Sequence, residues 1–156
     1  MAIQRVKEYL KQYGRENDVI ELAQSSATVE LAAQALNTQP ERIAKTLSFM
    51  GKNGAMIIVC AGDGKVDNHK FKETFEVKAK MLKHDEVERY TNHAIGGVCP
   101  FAVPETTKIY LDASLKRFDY VYPACGSANS AIKLSISELE EVVPYDGWVD
   151  VCKGWQ

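Results

Sequence analysis

The fold is decided by the stretch KTLSFMGKNGAMIIVCA, residues 45–61. Its beginning alternates, with Lys45, Leu47 and Phe49 on one side of an extended chain and the intervening residues on the other. This period of two predicts a strand. The segment 51–54 predicts a tight turn, and the apolar run behind it predicts a second strand that is fully buried. The stretch as a whole therefore predicts a β-hairpin.

Helices are predicted on the amino-terminal side of this hairpin. Apolar residues at helical spacing indicate one helix that begins before Val6 and stops at Gly14, and another behind Thr28, whose hydroxyl suits an N-cap. The segment from Thr38 to Glu41 has the pattern of a capping box and predicts a short third helix. Three helices are therefore predicted to precede the hairpin in the chain.

Helices and strands mix without a regular alternation on the carboxyl-terminal side. Asp67 is expected to cap a helix, another helix is expected from Asp85 to Tyr90, and the segment 137–140 predicts a capping box. Strands are predicted at 108–112, 120–125 and 131–134. The residues after Pro144 are expected to form a short tail. This pattern predicts an α+β domain around a strongly curved, mostly antiparallel sheet.

Length and composition exclude several classes of protein. The chain has 156 residues, 46% hydrophobic and 26% charged, which predicts one globular domain and excludes a disordered chain, a collagen or a disulfide scaffold. No apolar stretch approaches the ~20 residues of a membrane span. Charges at Arg5, Lys7 and Glu8 are not typical of a signal peptide. We therefore expect a cytoplasmic protein with no membrane partner.

The charge balance limits how the protein could bind a nucleic acid. The formal net charge is −2, so the molecule as a whole does not attract polyanions and any contact must be local. From composition alone, a solvated helix face is the simpler explanation of the lysine-rich segment 65–83. The lysines that could instead meet phosphates are Lys70, Lys72, Lys78, Lys80 and Lys83.

Cysteines and histidines show no pattern of a metal or redox site. The chain has no Cys-x-x-Cys pair and no histidines at i, i+4 spacing, so we expect no metal and no cofactor. Cys99 is unusual only in its place before Pro100 in a glycine-containing loop. No serine or cysteine is expected next to a histidine base, which disfavours catalysis by a side-chain nucleophile.

Three features could bind a ligand. Lys45 could meet a phosphate or carbonyl from a rigid element, although a surface lysine on an edge strand is the simpler interpretation of the pattern alone. The loop 96–104 leaves backbone amides for a ligand oxygen, although a structural loop would have the same pattern. The segment 126–129 predicts either a plain hairpin turn or a second backbone clamp.

Six segments, taken in order, resemble a known family. They are TVELAA (28–33), PERIAKTLSF (40–49), AGD (61–63), GGVCPF (96–101), IYLD (109–112) and ACGS (124–127). Together they resemble the YbaK/EbsC family, relatives of the prolyl-tRNA synthetase editing domain, over nearly the whole chain. The resemblance implies a single editing domain over residues 1–156 with a barrel-like mixed sheet and flanking helices. It also implies a free-standing hydrolase that deacylates mischarged aminoacyl-tRNA and so serves translation fidelity.

The resemblance also implies a site. Lys45 matches the family's functional lysine and is expected to be the catalytic residue, and the segment 96–100 matches its Gly-x-x-x-Pro loop. In this family the protein offers no nucleophile, so the loop and the lysine would orient the ester for attack by water or a substrate group. Amides of the loop would hold the developing oxyanion. Expected substrate-binding residues are Gly96, Gly97, Val98, Cys99, Pro100, Phe101, Asp112, Gly126, Ser127 and Asn129.

The implied partners are the aminoacylated 3′ end of tRNA and an aminoacyl-tRNA synthetase. Two other functions keep the same pocket: hydrolysis of another small acyl or aminoacyl ester, and non-catalytic binding of a tRNA end or a synthetase. The edited amino acid cannot be read from sequence, because a pocket discriminates a single methylene by only about 1–3 kcal/mol. The segment 126–129 is less glycine-rich than in family members.

Overall fold

The helices begin and end close to their sequence signals in the computed structural model, which describes residues 2–155. The α-helices are α1 (Ala2–Lys11), α2 (Val29–Leu36), α3 (Asn68–Phe75), α4 (His84–Thr91) and α5 (Ile136–Val142). Short 3-10 helices lie at Glu16–Asp18, Pro40–Arg42 and Ala113–Arg117. Within residues 2–155, none of the helices has the length and apolar character needed to cross a membrane.

The strands vary widely in length. They are β1 (Ile20–Glu21), β2 (Ile43–Gly51), β3 (Gly54–Ala61), β4 (Lys65–Val66), β5 (Lys108–Asp112), β6 (Tyr120–Pro123), β7 (Ser130–Ala131), β8 (Leu134–Ser135), β9 (Gly147–Val149) and β10 (Cys152–Lys153).

Side-chain caps fix the starts of three helices. The Thr28 hydroxyl accepts the amide of Leu31, and the Asp67 carboxylate accepts two amides of the first turn of α3, as predicted. The capping box predicted at residue 137 is wrong: it forms at Ser135 with Glu138, because β8 ends there and the chain enters α5 two residues earlier. The box predicted at residues 38–41 is also wrong, since that 3-10 helix begins behind Gln39 without a side-chain cap.

The β2–β3 hairpin forms the centre of a six-stranded sheet, in the order β8-β6-β2-β3-β5-β9, that curls into a half-barrel. The mixed, curved α+β architecture is confirmed. Three of the sheet's pairings, β2–β6, β3–β5 and β5–β9, are parallel and two are antiparallel. The antiparallel share is therefore smaller than the sequence indicated, because long crossovers containing helices return the chain in parallel.

The sequence did not correctly predict the short strands in the carboxyl-terminal part of the chain. The tail expected after Pro144 instead holds β9, which pairs with β5, and β10, which pairs with β4. The single strand predicted at 131–134 is divided between β7, which pairs with β1, and β8, which pairs with β6. The chain turns between them, where the amide of Ile132 bonds to the carbonyl of Pro123.

Core packing explains why β3 is continuously apolar. Ile57 and Val59 pack into a cluster that includes α1 and α5, whereas Ile58 and Cys60 pack into a second cluster with Phe71 of α3. Alternate residues of a strand point to opposite faces, so both faces of this strand are covered. β3 is therefore a rigid support for β2, its partner in the hairpin, and for the backbone and side-chain groups at the other edge of β2.

Candidate functional site

A cavity of about 460 Å³ opens beside β2. Its walls come from α2, the exposed edge of β2, residues 81–87 around the start of α4, the loop at 95–98 and residues 122–131. A volume in the range of roughly 300–1,000 Å³ is typical of small-molecule sites. The cavity therefore has the size of a ligand site, and β2 supplies its most rigid wall.

The edge of β2 is open where it faces the cavity. β2 pairs with β6 only at its first two residues. Further along the same edge, the carbonyl of Ser48 accepts the amide of Leu82, and the amide of Met50 donates to the carbonyl of Lys80. Backbone groups alternate in direction along an antiparallel strand. The amide and carbonyl of Thr46 therefore point into the gap between these two pairings.

Lys45 lies in this open part of β2. Its side chain is half-buried, it pairs across the hairpin with Cys60, and its Nζ donates to the carbonyl of Gly62 at 3.4 Å. In the described part of the chain, the cavity lining contains no Asp or Glu and Lys45 forms no ion pair. Its positive charge therefore remains available to an anionic or carbonyl oxygen in the cavity.

The turn that holds the Gly62 carbonyl is tightly constrained. A Cβ on Gly62 would overlap the carbonyl oxygen of Pro40, so only glycine fits there. On the far side of the turn, both terminal nitrogens of Arg117 donate to the carboxylate of Asp63, at 3.0 and 2.5 Å. A bidentate pair of this kind fixes geometry as well as charge. The acceptor for Lys45 is therefore held in place.

Two hydroxyls of the cavity wall have no hydrogen-bond partner. Ser26 Oγ and Thr46 Oγ1 are buried and unpaired within the described structure. Leaving a buried polar group unpaired costs about 1–3 kcal/mol, which a bound ligand can recover. These two hydroxyls, the Lys45 ammonium and the backbone groups of Thr46 are thus polar groups that the folded chain leaves for a ligand.

The predicted loop reaches the cavity at only two of its residues. Gly96 and Val98 line the wall. Gly97 is buried, its amide already donates to the carbonyl of Ala94 at 3.0 Å, and a Cβ there would lie 2.7 Å from the backbone of Gly126. The Gly97 amide is thus occupied, and its glycine is needed where the two predicted loops pack backbone to backbone.

Cys99 has a histidine neighbour. The expectation from sequence that no serine or cysteine lies next to a histidine is therefore wrong at this position. The Cys99 Sγ lies 3.4 Å from Nε2 of His93, and both side chains are fully buried. The same Nε2 lies 2.7 Å from the carbonyl oxygen of Phe101, so it carries a hydrogen and cannot take the thiol proton. Burial raises the pKa of Cys99 to about 12. This pair is a structural contact and not an activated nucleophile.

Pro100 and Phe101 also lie behind the wall. Both are buried, and the Phe101 ring packs in the core cluster with α1. Burial lowers the pKa of His93, so its ring is neutral as it holds the Phe101 carbonyl. These residues therefore support the loop from inside the core.

The segment 126–129 uses its polar groups internally. Ser127 Oγ donates to Ser130 Oγ at 2.7 Å and lies 3.0 Å from Oδ1 of Asn129. Asn129 Nδ2 donates to the carbonyl of Leu22 at 3.1 Å. Ser130, the next residue in the chain, lines the cavity, and the sequence did not single it out. Gly126, Ser127 and Asn129 position this wall from outside it.

Asp112 lies away from the cavity and is fully buried. One carboxylate oxygen accepts the amide of Ser114 and the other accepts the amide of Val151, each at 2.9 Å. The carboxylate therefore joins the end of β5 to a 3-10 helix and to the carboxyl-terminal strands. Its contacts are those of a scaffold residue.

The five predicted tRNA-contacting lysines fall into two groups. Lys70 Nζ is occupied by the Asp150 carboxylate at 3.1 Å and the Cys152 carbonyl at 2.9 Å. The other four are exposed: Lys72, Lys78, Lys80 and Lys83. Lys80 and Lys83 flank the cavity-lining segment 81–82 in the chain.

Within residues 2–155, no three His, Cys, Asp or Glu side chains converge as a metal site would require.

Comparison with known proteins shows the family to which this chain belongs. A family model described as the aminoacyl-tRNA editing domain matches residues 23–142. The chain belongs to the aminoacyl-tRNA editing domain family. This domain spans the walls of the cavity, from the segment before α2 to the end of α5.

Three individual proteins are similar to this chain over nearly its whole length. The chain is 51% identical to the uncharacterized protein YwhH of Bacillus subtilis (strain 168), over the whole of both chains. It superposes with a TM-score of 0.87 on the crystal structure of a candidate trans-editing enzyme for prolyl tRNA synthetase, at 28% identity and 98% of each chain. A structure of the hypothetical protein APE2540 matches with a TM-score of 0.83 at 27% identity, over 96% of this chain and 99% of that one.

Proposed function

We propose that this editing domain is a free-standing, cytoplasmic deacylase that hydrolyses the ester bond of a mischarged aminoacyl-tRNA. The observation that carries the proposal is Lys45, which lines a ligand-sized cavity and whose ammonium forms no ion pair with any residue from 2 to 155. A positive group at such a place would stabilise the oxyanion that the ester carbonyl becomes during hydrolysis. Family membership supports the substrate class, aminoacyl-tRNA.

Positioning is the main task of the proposed mechanism. An aminoacyl ester is already activated, so a water molecule held beside it can attack the carbonyl carbon once the geometry is fixed. The bond to the ribose oxygen then breaks, the ribose oxygen takes a proton, and the free amino acid leaves. The neighbouring ribose hydroxyl can assist the water. The cavity needs no nucleophile of its own, consistent with the buried and protonated state of Cys99.

Lys45 and Thr46 supply complementary groups along one edge. The Lys45 ammonium would hold the carbonyl oxygen as negative charge develops there. The open amide and hydroxyl of Thr46 would donate to the substrate, and its carbonyl would accept from the substrate's ammonium. Because the lining contributed by residues 2–155 contains no Asp or Glu, the ammonium of the amino acid would rely on such neutral acceptors.

Apolar side chains form the part of the cavity that would select the amino acid. Ala32, Ile43 and Ala44 line the side next to Lys45, and none has a polar side chain to contribute. Such a wall selects by size, which separates residues that differ by a methylene by only about 1–3 kcal/mol. The substrate is therefore best identified by a direct comparison of several small amino acids.

The test is a panel of tRNAs charged with Ala, Ser, Thr, Cys or Pro, followed by the rate of release of the amino acid. We expect one or two of these esters to be hydrolysed well above the spontaneous rate. A matched set of the same aminoacyl groups on a short ester without a tRNA body distinguishes the tRNA enzyme from a general esterase. Tight binding of tRNA without hydrolysis of any ester would replace the proposal with a non-catalytic module.

A further inference from the structure

The cavity has an apolar rim that the aminoacyl group does not explain. Within the described residues, three large hydrophobic side chains are strongly exposed: Leu31 at 42%, Met81 at 56% and Ile95 at 54%. Two of them, Met81 and Ile95, line the same cavity as Lys45. We refer to Met81, His84 and Ile95, which all line that cavity, as the rim. Exposed apolar groups beside a binding cavity indicate a ligand surface.

The rim is held by an ordered backbone. Met81 forms an isolated antiparallel bridge with Phe49 at the far end of β2, so its main chain is fixed while its side chain remains exposed. Ile95 precedes Gly96, whose φ of +95° sets the direction of the loop. His84 begins α4 between them in the chain. The exposure of the rim is thus a property of the folded state.

The cavity is too large for a small aminoacyl group alone. A small amino acid contributes a handful of heavy atoms, whereas about 460 Å³ matches a ligand of drug-like size. The atoms that follow the ester in an aminoacyl-tRNA are those of the terminal ribose and its base. The unfilled part of the cavity therefore has a natural occupant in the same molecule.

The chemistry of the rim fits an unpaired base next to a phosphate. Proteins bind single-stranded nucleic-acid ends by stacking bases on flat or polarizable side chains while lysines follow the backbone. The Met81 thioether is polarizable and packs well against rings, and His84 is itself a flat ring. Lys80 and Lys83 stand next to these residues in the chain and are exposed. Apolar and basic groups thus lie next to one another along one segment.

We infer that the rim formed by Met81, His84 and Ile95 binds the base of the terminal adenosine of the acceptor strand. This inference rests on the proposed function, because it places the ester of that adenosine at Lys45. The phosphate before the adenosine then lies toward Lys80 and Lys83. The base acts as an anchor that contributes equally to the binding of substrate and transition state, so its loss raises KM.

A binding experiment tests the rim without relying on catalysis. The probe is a 5′-labelled single-stranded RNA ending in CCA, compared by fluorescence anisotropy with the same RNA carrying an abasic terminal ribose. We expect the wild-type chain to bind the CCA end at least about fivefold more tightly, the smallest effect typical of one stacked base. Equal affinities for the two RNAs would overturn the inference, even if the protein deacylates tRNA.

Variants locate the contact. Met81→Ala and Ile95→Ala should each reduce the preference for the base over the abasic end, while Leu31→Ala, an equally apolar and exposed site outside the cavity, should leave it unchanged. In a deacylation assay the two rim variants should raise KM and leave kcat near its wild-type value. A preference that persists in Met81→Ala and Ile95→Ala would contradict the assigned place of the base. A lack of deacylation together with a base preference would sink the proposed function alone.

Discussion

Two polar regions on either side of the hairpin differ in how completely their groups are paired. At the β2 edge, among the residues that the structure describes, the hydroxyl of Thr46 has no hydrogen-bond partner and the ammonium of Lys45 contacts only the Gly62 carbonyl, at 3.4 Å. At the end of β5, each carboxylate oxygen of Asp112 accepts a backbone amide at 2.9 Å. Buried polar groups are normally satisfied, so those left unpaired need an explanation. Polar groups that the fold leaves unpaired are candidates for binding a ligand, whereas polar groups that are fully paired stabilise the fold.

The largest effect on stability is expected at the paired region. Asp112→Asn keeps the shape of the side chain but sets an NH₂ group against one of the two backbone amides that now donate to it. We expect the free energy of unfolding to fall by about 1.5–3 kcal/mol, the range for hydrogen bonds to a charged group. Denaturant unfolding followed by circular dichroism measures this loss. An unchanged midpoint would show that the two amide contacts do not carry the join between β5 and the carboxyl-terminal strands.

The paired region also shows where sequence reasoning reaches its limit. The hairpin is predictable because an alternating strand, a glycine turn and an apolar strand follow one another within residues 45–61. Asp112 is predicted from sequence to bind substrate, but its neighbour Val151 lies far away in the chain, so no local pattern could show that contact. Strands as short as β9 and β10 are too short to show a sequence periodicity. They form through their backbone pairing with β5 and β4, which are distant in the chain.

The candidate site is predictable in part for the same reason. Lys45 and the loop at 96–100 are found through their order in the chain, and the structure brings Lys45, Gly96 and Val98 to one cavity. Met81 and Ile95 could not be recognised, because exposure at a cavity mouth is a tertiary property. Isolated apolar residues among polar neighbours are the only local signal, and that signal is also common on ordinary surfaces.

The opposite outcome is expected at the unpaired region. Thr46→Val is nearly isosteric and removes the buried, unpaired hydroxyl, so the free protein should be as stable as wild type or slightly more stable. The kcat/KM for deacylation should nevertheless fall by about five- to tenfold, as for the loss of one hydrogen bond to substrate. Thermal unfolding and deacylation rates measured on the same preparation give both values. A loss of stability with full activity would place Thr46 with Asp112 as a scaffold residue.

The lysines provide a smaller test of the same contrast between free and occupied groups. Lys80→Ala together with Lys83→Ala should flatten the slope of log affinity for tRNA against log salt by about 0.7–0.9 for each phosphate that the variant no longer binds. Lys70→Ala is the matched control, because its ammonium is already bound by Asp150 and the Cys152 carbonyl. Binding titrations at several salt concentrations supply the slopes. Equal slopes for both variants and wild type would mean that tRNA docks elsewhere.

The smallest effect on activity is expected at the buried cysteines. Cys99→Ser and Cys125→Ser should each keep most of the deacylation rate, because burial raises the pKa of both thiols and neither is a nucleophile. Rates under saturating substrate, with mass spectrometry of the protein during turnover, check both claims. An acyl group trapped on Cys99 would refute the positioning mechanism.

Deacylation by Lys45→Ala tests the central claim most directly, namely that the Lys45 ammonium stabilises the oxyanion that develops on the ester carbonyl. Lys52→Ala, an exposed lysine at the far end of the same hairpin, serves as the matched control. We predict that Lys45→Ala keeps the wild-type unfolding temperature and loses deacylation by about 100-fold or more, the usual cost of removing an oxyanion-stabilising group. Lys45→Arg should also lose most activity, because a planar fork does not replace a point charge in a confined site. Hydrolysis of the preferred aminoacyl-tRNA by Lys45→Ala at the rate of Lys52→Ala would contradict the account.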